Sequence, residues 1–185
     1  PFFKAYHDHP ELLPDEDTER EMYYETKSML HKQGFERYEI SNYAKPGYEC
    51  RHNIGYWTGT EYLGLGLGAS SYIQGFRFHN ESDLSLYDKI QMTGTDADEK
   101  LHQEITKLSD KEKMEEFMFL GLRMIKGVSG SEFFQRFGQN MWNVYGNVLN
   151  KLKDEGLIIV DMPDVRLSDY GIDVSNYVLS EFLLD

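Results

Sequence analysis

The sequence predicts an α/β chain (α+β overall), with an α/β part followed by a small helical, winged-helix-like part. Three observations predict it. A helix-period segment at 15–33 runs directly into an alternating segment at 35–40, which is the αβ half of a βαβ unit and implies a parallel sheet. From Ser109 onward the order changes to three helical segments, a short hairpin and a closing helix. Between the two parts, residues 93–108 turn polar, with Gly94, Asp96, Asp98, Glu99 and Lys100, so a linker is expected between units 1–92 and 109–185.

Each element has its own signal. The first helix opens on Pro14 and the acidic run Asp15, Glu16 and Asp17, which suits the positive end of a helix dipole, and stops at Gly34 after His31 and Lys32. Met22, Tyr23, Thr26, Met29 and Leu30 recur on one face, which is expected to pack inward. Residues 43–60 have no period and hold Pro46, Gly47, Gly55 and Gly59, so one long loop is expected there. Strict alternation over 62–69 predicts an extended segment, followed by a strand at 76–78 and a helix at 84–92. In the second part, Ser109 with Glu112 forms a capping-box signature. Helices at 131–137 and 141–155 each end at a glycine. Strands at 157–160 and 165–167 flank the turn Met162-Pro163-Asp164, and Ser168 caps a last helix. The aromatic residues Phe117, Phe119, Phe133, Phe134, Phe137, Trp142 and Tyr145 are expected in the core of this part.

Composition narrows the partners. The net charge is −13, divided evenly as 15 acids to 9 Lys/Arg in residues 1–92 and 17 to 10 in residues 93–185. Nucleic acid requires clustered cations. Residues 139–185 offer only Lys151, Lys153 and Arg166 against eight acids, so nucleic acid is not an expected partner. No run approaches the roughly 18 apolar residues that a transmembrane segment needs, and no charged-then-apolar leader is present. The single cysteine, Cys50, excludes an internal disulfide and an iron–sulfur cluster held wholly by cysteines of this chain. Together these features predict a cytoplasmic location. The chain begins with Pro1 and inside an αβ repeat, which reads as a fragment of a longer protein.

Residues 38–72 hold the densest set of unusual side chains. Ser41 and Asn42 fall at the C-terminal end of the 35–40 strand, where α/β barrels place their ligand sites. They serve equally well as the residues that terminate the strand. Gly64, Gly66 and Gly68 recur with period two, which in a strand bares one face to a flat ligand or another backbone. Tight packing against a helix would use the same face. The spacing is not the GxGxxG of dinucleotide folds.

The strings YEISNYA (38–44), ECRHNIGYW (49–57) and YLGLGLGASSY (62–72), in this order, closely resemble those of the oxygen-independent coproporphyrinogen III oxidase-like radical-SAM family, most of all its haem-chaperone branch. The resemblance covers nearly the whole chain. It implies the last units of a partial α/β barrel in residues 1–92 and a helical C-terminal domain in 109–185. It also implies a [4Fe-4S] cluster and S-adenosylmethionine, bound mainly by a CxxxCxxC loop that this sequence does not contain. A segment without that loop is expected to be inactive alone as a radical-SAM oxidoreductase.

For the chaperone branch the resemblance implies haem, or another tetrapyrrole, as ligand and haem proteins as recipients. His52, Asn53, Tyr56 and Trp57 match the HNxxYW motif, with His52 as the candidate iron ligand. Neutral imidazole is a common haem ligand, and Tyr56 and Trp57 carry rings that can pack on a porphyrin. On its residues alone His52 is an ordinary loop histidine. Cys50 could present a thiolate through C-x-H, but its plainer role is a small buried residue, and the absence of C-x-x-C-H excludes covalent haem attachment. His79 is a weaker second candidate. Relatives often read GLGPGAHS where this chain has Leu67 and Ser70, so no role of that histidine carries over. The rival reading is a coproporphyrinogen oxidase or dehydrogenase of porphyrin biosynthesis, and a second rival is a winged-helix interaction module.

Overall fold

Asp15 opens the first helix as its acidic context requires. In a computed structural model, which describes residues 6, 7, 9, 12–90 and 100–184, its carboxylate accepts the Thr18 N–H at 2.8 Å and helix α1 runs Glu16–Lys32. The apolar face of α1 packs inward only in part: Met22 and Met29 are 56% and 64% exposed and no residue of the helix is buried, while Tyr23 rests half-buried against the core. Polar bonds add to that contact. Tyr23 Oη donates to the Ile40 carbonyl at 2.6 Å, Lys27 Nζ to Asp169 at 3.0 Å, and Tyr24 Oη to Asp173.

The parallel sheet expected after α1 is not found among the described residues, where every strand pair is antiparallel. Strand β1 (Glu36–Arg37) is turned back at once by Ser41 and Asn42 onto β2 (Tyr43–Ala44). The backbone groups beyond β1 find partners elsewhere. Ile40 N–H donates to Arg123 O at 3.0 Å, Ile125 N–H donates to Tyr38 O at 3.1 Å, and Glu39 bridges Met124. The extended segment therefore closes onto the C-terminal part, and Ile40 packs against its core.

Residues 43–60 are not one loop. They contain β2 and helix α2 (Arg51–Trp57), which is two turns long and too short for periodicity to register over a window of 11 or more residues. The glycine-rich segment is extended only at its start. Tyr62 pairs with Tyr72, and the chain then turns through Gly66 (φ +97°) and Gly68 (φ +64°) into β3 (Ser70–Ile73). Strand β4 (Phe76–Asn80) follows, then the single-turn helix α3 (Leu84–Tyr87), shorter than the helix expected at 84–92. Residues 91–99 lie outside the described residues, so the end of that expected helix and the first part of the expected linker do too. The rest of the linker span contains β5 (His102–Lys107), completing the sheet β3-β4-β5. Its last four residues are exposed, which is why its composition reads as polar.

The C-terminal part follows its local signals closely. Ser109 and Glu112 form a reciprocal capping box for α4 (Asp110–Gly121). Helices α5 (Gly130–Phe137) and α6 (Met141–Asp154) follow, then the hairpin β6 (Ile158–Asp161) and β7 (Asp164–Leu167). The last helical stretch breaks at Val174 into α7 (Asp169–Asp173) and α8 (Ser175–Ser180), the first capped by Ser168. Val128, between α4 and α5, adds a backbone bridge to Val165, giving the wing a third edge as in winged-helix domains. The core forms here: Met118, Leu122, Phe133, Leu149, Leu152, Val178 and Phe182 are all 0% exposed. Two of the expected core aromatics stay out of it: Phe119 is half-buried away from the core, and Phe134 is 58% exposed because α5 turns Phe133 and Phe137 inward and Phe134 out.

Candidate functional site

Helix α2 carries the HNxxYW residues, and its period sorts them into two faces. His52 and Tyr56 are four residues apart on one face, and Asn53 and Trp57 on the next. The His52 and Tyr56 rings meet edge to face at 4.7 Å, and Tyr56 meets Tyr62 in the same way at 4.7 Å. The His52 side chain is exposed and its imidazole makes no hydrogen bond or ion pair among the described residues. Both nitrogens are therefore open to a ligand. His79 differs: Nδ1 lies 2.8 Å from the Asn80 carbonyl and Nε2 3.5 Å from Glu104. Cys50 is exposed, so it is not the small buried residue expected, and it stands at the N-cap of α2 with no capping bond.

Two arginines from the C-terminal part fasten α2. The Arg123 guanidinium lies 4.4 Å from the Trp57 ring centre, a cation–π contact that covers one ring face. Arg136 Nη1 donates to the Thr58 carbonyl at 3.1 Å at the end of the helix and is paired with Glu132. Neither arginine is signalled by a motif; each meets α2 only through the tertiary fold. Trp57 Nε1 is buried without a partner.

A cleft of about 470 Å³ opens beside this helix, between α2, the β3–β4 hairpin, α4 and α5. Tyr56 and Trp57 line it; Ser41, Asn42, His52, Asn53 and the three glycines do not. Burial holds the Tyr62 hydroxyl above its ordinary value, with nearby Arg77 acting the other way. Burial likewise raises the Glu116 carboxyl, and Arg77, 2.9 Å away, offsets part of that rise.

The remaining sequence-predicted residues have structural places. Ser41 N–H and the Asn42 side-chain amide both donate to Glu39 Oε1, at 3.0 and 2.6 Å. Glu39 is 0% exposed, and its second oxygen has no partner. Gly64 is required by close approach, since a Cβ there would sit 2.2 Å from the Ser70 carbonyl. The buried Asn80 amide donates to the Gly64 and Gly66 carbonyls at 3.3 and 2.8 Å, so the glycine loop is closed by its own hairpin. It leaves no bare strand face, and Leu63, Leu65 and Leu67 point outward.

Comparison with known proteins fits this architecture. Residues 108–174 match the HemN C-terminal domain model. The chain is 37% identical to the haem chaperone HemW of Lactococcus lactis over 94% of its own length and 44% of the relative's. With the HemW of Bacillus subtilis the identity is 36%, over 92% of this chain and 44% of the relative. The chain thus spans somewhat under half the length of these curated relatives. The coproporphyrinogen III oxidase HemN of Escherichia coli, a radical-SAM enzyme, superimposes with a TM-score of 0.71 over 92% of this chain and 42% of that one; at 17% identity the likeness is one of fold.

Proposed function

We propose that this chain is the C-terminal portion of a radical-SAM-type haem chaperone, binding haem through His52 and handing it to recipient haem proteins. The observation that carries the reading is the exposed, unbonded imidazole of His52, held beside Tyr56 on a helix that two arginines fix in place. Similarity to haem chaperones over most of the chain supports it. In this reading His52 would supply a nitrogen ligand to the iron and Tyr56 an aromatic neighbour, while Trp57 chiefly anchors α2. Asn53 belongs to the same helix, while Ser41, Asn42 and the glycines Gly64, Gly66 and Gly68 shape the neighbouring turns.

The residues of this chain do not fit a [4Fe-4S] cluster. Its one cysteine stands alone, and among the described residues no group of three or more His, Cys, Asp and Glu is placed to hold a metal. In this reading cluster and S-adenosylmethionine belong to the rest of the full-length protein. No helix among the described residues is long and apolar enough to cross a membrane. The lone cysteine suits a reducing compartment such as the cytoplasm.

The test uses the full-length protein. Haem added to it should give a Soret band characteristic of axial imidazole ligation, and His52→Ala should shift or abolish that band. Cys50→Ala should leave the spectrum unchanged. If full-length His52→Ala keeps both affinity and spectrum, the motif is structural and the coproporphyrinogen oxidase reading moves ahead.

A further inference from the structure

We infer that the cleft beside α2 is a carboxylate subsite, receiving the acidic side chains of the haem whose iron His52 ligates. The inference rests on the haem reading of His52 and adds to it where the anionic edge of the ligand goes, and which cations meet it.

Charge is the first argument. The chain carries a net charge of −13, yet this cleft is lined by four cations, Arg77, Lys113, Lys126 and Arg136, against two carboxylates, Glu116 and Glu132. The two arginines are occupied: Arg77 pairs with Glu116 at 2.9 Å, and Arg136 with Glu132. The lysines have charge to spare. Lys113 faces only Asp110, whose side chain is 88% exposed, and a solvated i,i+3 pair of this kind holds its cation weakly. Lys126 has no ion pair or hydrogen bond among the described residues. One unpaired and one weakly paired ammonium group in a cleft of an otherwise acidic molecule attract an organic anion and steer it to that face.

Shape is the second argument. The walls are aromatic: Tyr56, Trp57, Tyr62 and Phe117 face the cleft, so a ligand entering it must combine acid groups with a flat apolar body. Haem has both, with its two carboxylates hanging from one edge of the ring, several bonds from the iron. His52 stands outside the lining, but its ring touches Tyr56, which is part of the wall. A haem ligated at His52 would thus lie beside this wall, and Lys113 and Lys126 are the cations that would meet its carboxylates. Arg136 links the two places, since the guanidinium that pairs with Glu132 in the cleft also bonds the end of α2 at Thr58.

The experiment titrates the full-length protein with haem and with haem dimethyl ester, in which both carboxylates are masked. The proteins compared are the parent, Lys126→Glu, Lys113→Gln and Lys126→Arg. Lys126 is exposed, so its variants should fold, which circular dichroism checks. For the parent, haem should bind roughly tenfold more tightly than the ester, as expected when a charge-assisted hydrogen bond is lost. Lys126→Glu should weaken haem by a similar factor, leave ester binding unchanged, and keep the Soret position, since His52 is untouched. Lys113→Gln should act in the same direction and Lys126→Arg should behave as the parent. Equal binding of haem and ester by the parent, with Lys126→Glu indistinguishable from it, overturns the subsite while the haem reading stands. Unaltered affinity and spectrum in His52→Ala instead overturn the haem reading, and no haem binding by the full-length parent overturns both.

Discussion

A buried carboxylate is costly unless every oxygen is used, and Glu39 uses only one. Oε1 accepts from the Ser41 backbone and the Asn42 amide, while Oε2 is buried without a partner. Those two bonds set the turn that sends the chain back from β1, so Glu39→Ala removes the acceptor of both and leaves a small void. The loss should be about 1–3 kcal/mol of stability, read from urea denaturation. Glu39→Gln keeps the accepting oxygen and removes the charge, so its effect should be clearly smaller. If the two variants cost the same, the turn does not depend on Oε1. In the sequence Glu39 is one polar residue of an alternating run. Its importance follows from burial, which alternation over six residues does not reveal.

At the scale of elements, α1 shows how a helix is legible while its packing is not. Cap, acidic first turn and basic last turn all sit where the local signals put them. Its attachment depends on distant groups: Lys27 and Arg37 reach Asp169 at 3.0 and 3.5 Å. The Lys27 hydrogen bond holds the Asp169 carboxyl below its ordinary value, and the nearby charges of Lys27 and Arg37 act the same way. A depressed acid favours the folded state above its unfolded value, and that contribution is lost as pH falls through the lower folded one. Docking of α1 should therefore be intact at neutral pH and weaken below about pH 3.9, the ordinary Asp value. Limited proteolysis of 16–32 across that range reads the change, and Asp169→Asn should already show the loosened behaviour at pH 7. A helix whose protection in Asp169→Asn matches the parent would mean that Tyr23 and Tyr24 suffice to hold it.

At the scale of the molecule, the core lies to one side. Among the described residues, the buried apolar ones apart from Ala44, Leu101 and Leu108 fall between Met114 and Phe182. Met22, Met29, Leu63, Leu65, Leu84 and Leu86 remain exposed. Resistance to local opening tracks buried apolar contact. Hydrogen exchange should therefore be slowest in α4, α6 and β7, intermediate in the β3–β4–β5 sheet, and fastest in α1 and the glycine loop. Uniform protection across the chain would show that the two parts unfold as one cooperative unit. The site lies where they meet, since α2 comes from the first part while Arg123 and Arg136 come from the second.

The sequence by itself determined the helix caps, the capping box at Ser109, the wing hairpin and the HNxxYW string, because each depends on residues within a few positions of one another. Tertiary structure decided the rest. Strand direction required knowing that Tyr38 and Ile40 find backbone partners at 123–125. The place of helix 51–57 is fixed by Arg123 over Trp57, and the glycine loop is closed by Asn80 reaching its carbonyls. The cleft needed four separate segments folded side by side. The physical reason is common to all of these: a backbone hydrogen bond, a cation over a ring or a closed cavity wall is satisfied by whatever lies near in space, and separation along the chain carries no record of that.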